Sequence, residues 1–331
     1  MRLPATLLVT VAVVAGLAPR PRPSSSSTVH KIGFLGVRAD AENYSGKFIR
    51  QELHKLGYLD GKNIRLEARS ADNQLERLPS LVNELLRLKM DVLITAATRE
   101  LYVARDATKD VTLISLNLGD PVASGLVQSL ARPGGNITGF APLSVELMSK
   151  RLELLKQTVR KTSRIAVLFH PQTTSPATWE NGWRESQRVA PGLGIDIHPF
   201  AIKAAHELPG VFRETTKIQA DGVAVSLSPL INSLQRKIVD LAASRRLPAI
   251  HPRGDFAESG GLMSYGADRN EPYARVAAMV DKVLKGVMPA NLPVEQPRKF
   301  ELVINLKAAR QIDLTIPPNV LARADRVIKR A

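Results

Sequence analysis

Short apolar segments alternate with longer amphipathic segments along almost the whole chain, and this alternation constrains the fold more than any other feature of the sequence. Residues 91–96, Asp-Val-Leu-Ile-Thr-Ala, have the continuous apolar character of a strand that is buried on both faces. Residues 74–88 carry leucine and valine on one face at helical spacing. Because strands and helices that alternate in this way form parallel sheets covered by helices, we expect an α/β fold.

The alternation falls into two consecutive sets, at residues 31–141 and 145–265, which predict two similarly built lobes. A helix is predicted at 120–130, and a last helix is predicted to end at residue 329. Ligands of open parallel sheets bind beyond the carboxyl ends of the strands. The residues that we expect at a binding cleft are therefore those that directly follow Gly36, Ala96, Leu116, Phe169, Ser226 and His251.

The N-terminal segment has the pattern of an export signal. Arg2 precedes an apolar run at 7–18 that only Thr10 interrupts. A membrane span needs about 20 such residues, whereas this run has the size of the apolar part of a signal peptide. We therefore expect residues 1–29 to be a signal peptide and linker, and the protein to be periplasmic. The alternatives are an uncleaved anchor and a misassigned start codon.

Composition limits the chemistry. The chain has no cysteine, which excludes disulfide scaffolds, cysteine-ligated zinc or iron–sulfur sites, cysteine nucleophiles and a lipidated cysteine anchor. The formal net charge of +15 raises nucleic acid, anionic membranes and anionic ligands as partners. However, the basic residues are dispersed and only 5% of residues are aromatic, so a solvated basic surface and no nucleic-acid partner is the preferred interpretation.

Motifs for catalysis and cofactors do not occur. No glycine pattern of a dinucleotide site or P-loop is present, and no Gly-x-Ser-x-Gly elbow is found. The six histidines are scattered, and no pair has the spacing of metal ligands. We therefore predict that the protein is not an enzyme and has no catalytic residue, metal or cofactor. A hydrolase would need a serine, a histidine and a carboxylate that converge in the fold, which no spacing indicates.

Several stretches, in a fixed order, resemble one known family. They include Gly-Asp-Pro-Val-Ala-Ser-Gly-Leu-Val at 119–127, Leu-Ala-Arg-Pro-Gly-Gly-Asn-Ile-Thr-Gly at 130–139 and Gly-Gly-Leu-Met-Ser-Tyr-Gly at 260–266. From about residue 30 to its end, the chain resembles the ABC-transporter substrate-binding proteins of the tryptophan/tyrosine-binding-protein-like group.

The resemblance implies a type I periplasmic-binding-protein fold. Two Rossmann-like lobes with parallel sheets would be joined by a multi-strand hinge, with the chain crossing between them near Pro142, Ala267 and Pro293. The expected lobes are residues 30–142 with 268–293, and residues 143–267 with 294–331.

The function that the resemblance implies is solute capture. An amino acid or related organic acid would bind in the cleft between the lobes and be delivered to the membrane permease subunits of an ABC importer. We expect a monomer. A periplasmic ligand sensor without transport and a cleft hydrolase remain as alternatives.

Two loops depart from the pattern of the family. Residues 97–100 read Ala-Thr-Arg-Glu where many members have Gly-Thr-Pro-Ala. Residues 170–173 read His-Pro-Gln-Thr where many members have Asn-Pro-x-Asn. Both loops face the cleft in this fold, so the identity of the ligand does not carry over from the family.

Position along the chain suggests which residues contact a ligand. Thr98 opens a helix, where free backbone N–H groups favour a carboxylate, and Arg99 would mark an acidic ligand. Asp120 could accept from an ammonium or hydroxyl group, or could cap a helix. The further candidates after strands of the second lobe are His170, Thr173, Thr174, Ser226 and Ser228. Tyr44 and Phe256 could flank an apolar or aromatic part of the ligand, or could simply pack in the core.

Overall fold

The structure is a computed structural model that describes residues 29–38, 42–171 and 176–329. Thr173, Thr174 and nearly all of the expected signal peptide and linker lie outside these ranges. Within them, no helix has both the length and the apolar character that a membrane span requires.

Among the residues that the structure describes, the first sheet has five parallel strands in the order β2-β1-β3-β4-β5. Its strands are β1 (His30–Gly36), β2 (Ile64–Ser70), β3 (Val92–Thr95), β4 (Thr112–Ser115) and β5 (Ile137–Gly139). Every residue of β3 and β4 is buried, as expected for strands whose centres are apolar and whose sheet is covered on both faces.

Within the described part of the chain, the second sheet has seven strands in the order β12-β11-β10-β9-β8-β6-β7. Its strands are β6 (Arg164–Phe169), β7 (Asp196–Ala201), β8 (Gly222–Val225), β9 (Ala249–His251), β10 (Met263–Ala267), β11 (Phe300–Asn305) and β12 (Arg326–Ile328). All neighbouring strands are parallel except β10 and β11, which are antiparallel. The prediction of two α/β lobes with largely parallel sheets is therefore confirmed.

Helices cover both sheets. Those of the first half are α1 (Lys47–Lys55), which continues a π-helical turn Glu42–Gly46, then α2 (Leu78–Arg87), α3 (Thr98–Ala107) and α4 (Ser144–Thr158). Those of the second half are α5 (Pro176–Val189), α6 (Leu208–Lys217), α7 (Pro229–Ser233), α8 (Gln235–Ser244), α9 (Gly254–Glu258), α10 (Glu271–Leu284), α11 (Leu306–Gln311) and α12 (Pro318–Leu321). Short 3₁₀ turns occur at Leu75–Arg77, Pro191–Leu193, Ala205–Glu207 and Pro289–Asn291.

Each sheet has an apolar core on both faces. In the first sheet, one core packs α1 and α10 against the strands, and the other packs α2 and α3 against them. In the second sheet, α4 and the C-terminal elements form one core, and α6 and α8 form the other. This burial on both faces explains why so many strands carry no polar alternation.

The chain passes three times between the two sheets. It leaves the first sheet after β5, because α4 belongs to a core of the second sheet. It returns after β10, because α10 packs on the first sheet. It then enters β11 of the second sheet after a segment in which Asp268 N donates to Lys299 O at 3.1 Å.

The prediction of a helix at 120–130 is wrong. The segment is a series of irregular turns. Gly119 and Gly125 adopt φ angles of +62° and +66°, which a right-handed helix excludes. The Asp120 carboxyl caps this turn and accepts from Ala123 N at 3.2 Å.

The prediction of a last helix that ends at residue 329 is also wrong. Only α12 is helical there, and β12 follows it as an edge strand. Leu302 N donates to the Asp325 carboxyl at 2.7 Å, and Asp325 N donates to Leu302 O at 3.0 Å. These hydrogen bonds to β11 make the tail an edge strand of the sheet. They depend on residues that are distant in the chain, so the helical spacing of the tail itself could not predict them.

Candidate ligand-binding cleft

A cavity of about 190 Å³ lies between the two sheets. Its lining includes residues one or two positions after β1, β3, β4, β8 and β9, namely Val37, Ala97, Asn117, Leu227 and Pro252. The carboxyl ends of parallel strands meet at one edge of a sheet, and this edge is where such folds bind ligands. Residues from both sheets therefore form the walls of a single cavity.

The wall from the first lobe carries aromatic side chains. Tyr44 lines the cavity beside Phe140 and Tyr273. Its ring lies edge-on to that of Phe48, with centroids 5.2 Å apart. The Arg269 guanidinium lies 4.6 Å from the centre of the Tyr44 ring, within the range of a cation–π contact. Tyr44 Oη is buried and has no hydrogen-bond partner among the residues that the structure describes.

The same wall contains a buried carboxyl group, that of Glu100 in the first turn of α3. Only 2% of this residue is exposed. Its Oε1 accepts from Val37 N at 2.9 Å, while Oε2 has no partner within the described ranges. Burial raises the pKa of Glu100 to about 7, although hydrogen bonds from backbone N–H groups act in the opposite direction.

The wall from the second lobe carries guanidinium groups. Arg151 projects from α4 and is 2% exposed, and its Nε donates to Tyr265 O at 2.8 Å. Burial lowers the pKa of Arg151 to about 10, so the side chain stays charged at neutral pH.

A second guanidinium group, that of Arg253, follows β9. Its Nη2 is paired with the Asp255 carboxylate, which also lies 3.6 Å from Arg269 Nη1. Arg253 Nε and Asp255 Oδ1 are buried, and neither makes a hydrogen bond to a described residue. A polar atom of Asn232 in the same wall, Oδ1, is also buried and unpaired within the described ranges. Such atoms cost free energy unless a ligand or water pairs with them.

Two of the residues predicted from position line the cavity, Tyr44 and Ser228. Ser228 is 3% exposed, and its Oγ accepts from Ile231 N at 3.1 Å as the cap of α7. A hydroxyl group that accepts a hydrogen bond still has its own proton to donate. Ser228 therefore caps the turn that begins α7. Its contact with a ligand stays a prediction.

The other predicted residues that the structure describes do not line this cavity. Thr98 is buried, and its Oγ1 donates to Asn117 O at 3.0 Å, whereas Arg99 is exposed. Asp120 caps its own turn. His170, after β6, is 9% exposed.

Ser226 and Phe256 are placed by backbone and core contacts. Ser226 N donates to Leu168 O at 2.9 Å. Phe256 is fully buried, and its ring stacks on His251 with centroids 4.8 Å apart. Packing, which was the alternative for Phe256, is therefore the role that the structure displays.

Position alone missed Glu100, Arg151, Asn232 and Arg253. Arg253 lies two residues after a strand, so the strand-end rule could have found it. Glu100 belongs to a loop that departs from the pattern of the family, and this departure could have identified it as a candidate. Arg151 and Asn232 reach the cavity from helices, and no local sequence pattern identifies them.

The histidine and carboxyl side chains of the described residues bear on metal binding and catalysis. Within residues 29–38, 42–171 and 176–329, no group of three or more histidines and carboxylates could hold a metal ion. His251 is fully buried in the second lobe, and burial lowers its pKa to about 3. It is therefore a neutral core side chain and is poorly suited to act as a general base.

The chain is similar in sequence and in fold to several known proteins. A tyrosine-binding protein of Clostridioides difficile (strain R20291) is 26% identical over 267 residues, which cover 79% of this chain and 74% of that protein. An ABC domain from Streptococcus pneumonia, solved in complex with L-Trp, is 26% identical with a TM-score of 0.82. That match covers 91% of this chain and 100% of the solved chain.

A conserved domain protein from Vibrio cholerae shares the fold, with a TM-score of 0.83 at 24% identity over 91% of this chain and 100% of its own. The two lobes therefore form a periplasmic-binding-protein-like α/β fold. The sequence model of the family described as ABC transporter substrate binding protein matches residues 34–328. Since this match spans nearly the whole chain, the protein belongs to the ABC transporter substrate binding protein family.

Proposed function

We propose that the protein is exported to the periplasm, captures an amino acid or related small organic acid in the cavity, and delivers it to the permease of an ABC importer. The observation that carries the proposal is the cavity itself, which residues from both lobes line. A ligand that contacts both walls would favour the arrangement in which the walls approach each other. The relatives named for tyrosine and L-Trp support an amino acid as the ligand class.

The charges of the lining support a ligand that carries a carboxylate. The arginines that line the cavity are Arg38, Arg151, Arg253 and Arg269. The carboxyl groups of the lining are those of Glu100 and Asp268, and the Asp255 carboxylate pairs with Arg253 and lies 3.6 Å from Arg269, so four guanidinium groups outnumber three carboxyl groups. Guanidinium groups pair with carboxylates through parallel hydrogen bonds, and they do so most strongly where water is excluded.

The test is ligand-induced stabilisation of the purified protein, screened over amino acids and organic acids. A ligand at 100 times its dissociation constant adds about 2.7 kcal/mol to the free energy of unfolding, which a thermal melt detects. No stabilisation across either class of compound would contradict the proposal.

Two variants test whether the ligand binds in the cavity. Arg253→Gln removes a guanidinium group from the wall, and we expect ligand affinity to fall about tenfold because a charged hydrogen bond is lost. Arg246→Gln is the matched control, because Arg246 is exposed and pairs with Asp313 outside the cavity lining. Equal affinities of the two variants, measured by calorimetry, would place the binding site elsewhere.

Delivery is tested in cells. Deletion of the gene should abolish uptake of the radiolabelled ligand, and the wild-type gene should restore it. A sensor without transport would leave uptake unchanged and alter only a ligand-dependent response. A cleft hydrolase would convert the bound compound, which chromatography of the recovered ligand would reveal.

A further inference from the structure

Only one oxygen of the Glu100 carboxyl group has a hydrogen-bond partner among the described residues. Oε1 accepts from Val37 N, a contact that ties the start of α3 to the end of β1. Oε2 has no partner among the described residues, although the residue is 2% exposed and lines the cavity. A buried carboxylate oxygen without a partner loses its hydration and gains nothing in return.

The position of Glu100 in its helix accounts for part of this arrangement. An acidic residue in the first turn of a helix interacts favourably with the helix dipole. The backbone N–H groups of Glu100, Val37 and Ala97 all lower the pKa of the carboxyl group, and that of Val37 donates the hydrogen bond to Oε1. A structural role alone, however, would be served by an exposed or fully paired acid, whereas this one is buried in the wall of the cavity.

We propose that Glu100 determines the specificity of the cavity by selecting a ligand with an ammonium group, so that an amino acid binds in preference to the acid that lacks the amine. The inference rests on the proposed function. The guanidinium groups of the cavity lining would hold the carboxylate of the ligand. The Glu100 carboxylate, in the wall of the first lobe, would then pair with the ammonium group.

Ionisation of Glu100 accompanies binding of such a ligand. Burial keeps its carboxyl group protonated to higher pH than an exposed acid, and a bound ammonium group reverses this by stabilising the anion. Arg99 on the same helix lowers the pKa of Glu100 slightly. The other titratable side chains that line the cavity are Arg38, Tyr44, Arg151, Arg253, Asp268, Arg269 and Tyr273. Arginine keeps its charge near neutral pH, and the tyrosine side chain is ordinarily neutral there.

The test compares matched ligands in the wild-type protein and in Glu100→Gln. The pairs are L-tyrosine with 3-(4-hydroxyphenyl)propionate, L-tryptophan with indole-3-propionate, L-leucine with 4-methylpentanoate, and L-glutamate with glutarate. Calorimetry should show at least one amino acid binding the wild-type protein more than about tenfold tighter than its deaminated partner, the ratio expected for a charged hydrogen bond. In Glu100→Gln the ratio should fall close to one. Glu76→Gln, an exposed acid in the first turn of another helical segment, is the control.

The pH dependence of binding gives a second measurement that needs no variant. Affinity of the wild-type protein for the amino acid should rise about tenfold from pH 6 to pH 8, because Glu100 must lose its proton to bind the ammonium group. Affinity for the deaminated acid should not rise. The side-chain oxygen that Glu100→Gln introduces can still accept from Val37 N, so a thermal melt of this variant should show that it folds.

The outcomes separate the two proposals. If deaminated acids bind as tightly as amino acids, and Glu100→Gln changes both equally, the role of Glu100 is structural and this inference is overturned while the proposed function stands. If no amino acid or acid of the panel binds the wild-type protein, the proposed function fails and the inference fails with it.

Discussion

The two walls of the cavity each contain one fully buried ionisable side chain, and the two respond differently to burial. Glu100 in the first wall and Arg151 in the second are each 2% exposed. Desolvation favours the neutral form of both, raising the pKa of Glu100 to about 7 and lowering that of Arg151 to about 10. The same physical effect therefore brings only the acid into the physiological range. The first wall can change its charge near neutral pH, whereas the second wall keeps its charge.

The largest effect is expected from a change that displaces the second wall. In Gly266→Ala, the new Cβ would lie 1.9 Å from Pro252 O, a backbone atom adjacent to Arg253. Since backbone cannot give way easily, we expect a loss of at least about 3 kcal/mol in the free energy of unfolding, measured by urea denaturation. In the control Gly135→Ala, the Cβ meets nothing within 4 Å. Similar stabilities of the two variants would show that the second wall is not rigidly placed.

Glu100 in the first wall should make the stability of the protein depend on pH. Burial raises the pKa of Glu100 from 4.5 to about 7, so between these values the folded protein holds a proton that the unfolded chain has released. The contribution of Glu100 is therefore most favourable below pH 4.5 and is lost as pH rises through about 7. Relative to Glu100→Gln, the wild-type protein should lose about 1.4 kcal/mol per pH unit across this window.

His251 titrates in an overlapping window with the opposite sign. Burial lowers its pKa from 6.5 to about 3, so its contribution to stability is lost as pH falls below 6.5. Both proteins contain His251, so the difference between the stability profiles of the wild-type protein and Glu100→Gln isolates Glu100. A flat difference from pH 4.5 to pH 7 would show that the carboxyl group is not desolvated.

A smaller and pH-independent effect is expected at Arg151. Arg151→Ala leaves Tyr265 O without the donor that lies 2.8 Å away, and it removes the packing of the buried stem. We expect a loss of about 2 kcal/mol, equal at pH 5 and pH 8 because the guanidinium group does not titrate between them. Lys150→Ala is the neighbouring control, since Lys150 makes only a partly exposed pair with Glu153. A loss that varied with pH would remove the distinction between the walls.

The smallest effect is expected at Arg99, which precedes Glu100 in the chain. Its side chain is exposed and does not line the cavity. Arg99→Ala should change stability by less than about 0.5 kcal/mol and leave ligand affinity unchanged. A marked loss of affinity in calorimetry would restore the position-based prediction that Arg99 marks an acidic ligand, and it would extend the first wall to the outer face of α3.

Much of the fold could be predicted because its signals are local. The buried strands β3 and β4 and the leucine face of α2 are visible in short windows of sequence. The segment after Gly119 and the tail before Lys329 could not be predicted in this way. The first region is irregular because its glycines have positive φ angles, and the tail is a strand because it pairs with β11. The spacing of apolar residues along the chain indicates neither feature.

The sequence predicted where the cavity lies but not which side chains line it. The strand-end rule correctly located the cavity beside Val37, Ala97, Asn117 and Pro252. It did not identify which neighbouring side chains point inward. Thr98 and Arg99 lie beside Glu100 on the same helix turn, yet only Glu100 reaches the cavity, because successive helical residues point about 100° apart.

The two α/β lobes, the edge of the sheets at which the cavity lies, and the resemblance to a substrate-binding family could be inferred from the sequence alone. Those properties follow from hydrophobic periodicity and from motifs that are contiguous in the chain. Glu100 and Arg151 belong to different lobes, yet they line one cavity and lose their hydration there. Only the folded structure reveals this, because the two residues are distant in the sequence. Desolvation depends on what surrounds a side chain in space, so the charge state of the cavity is a property of the folded molecule.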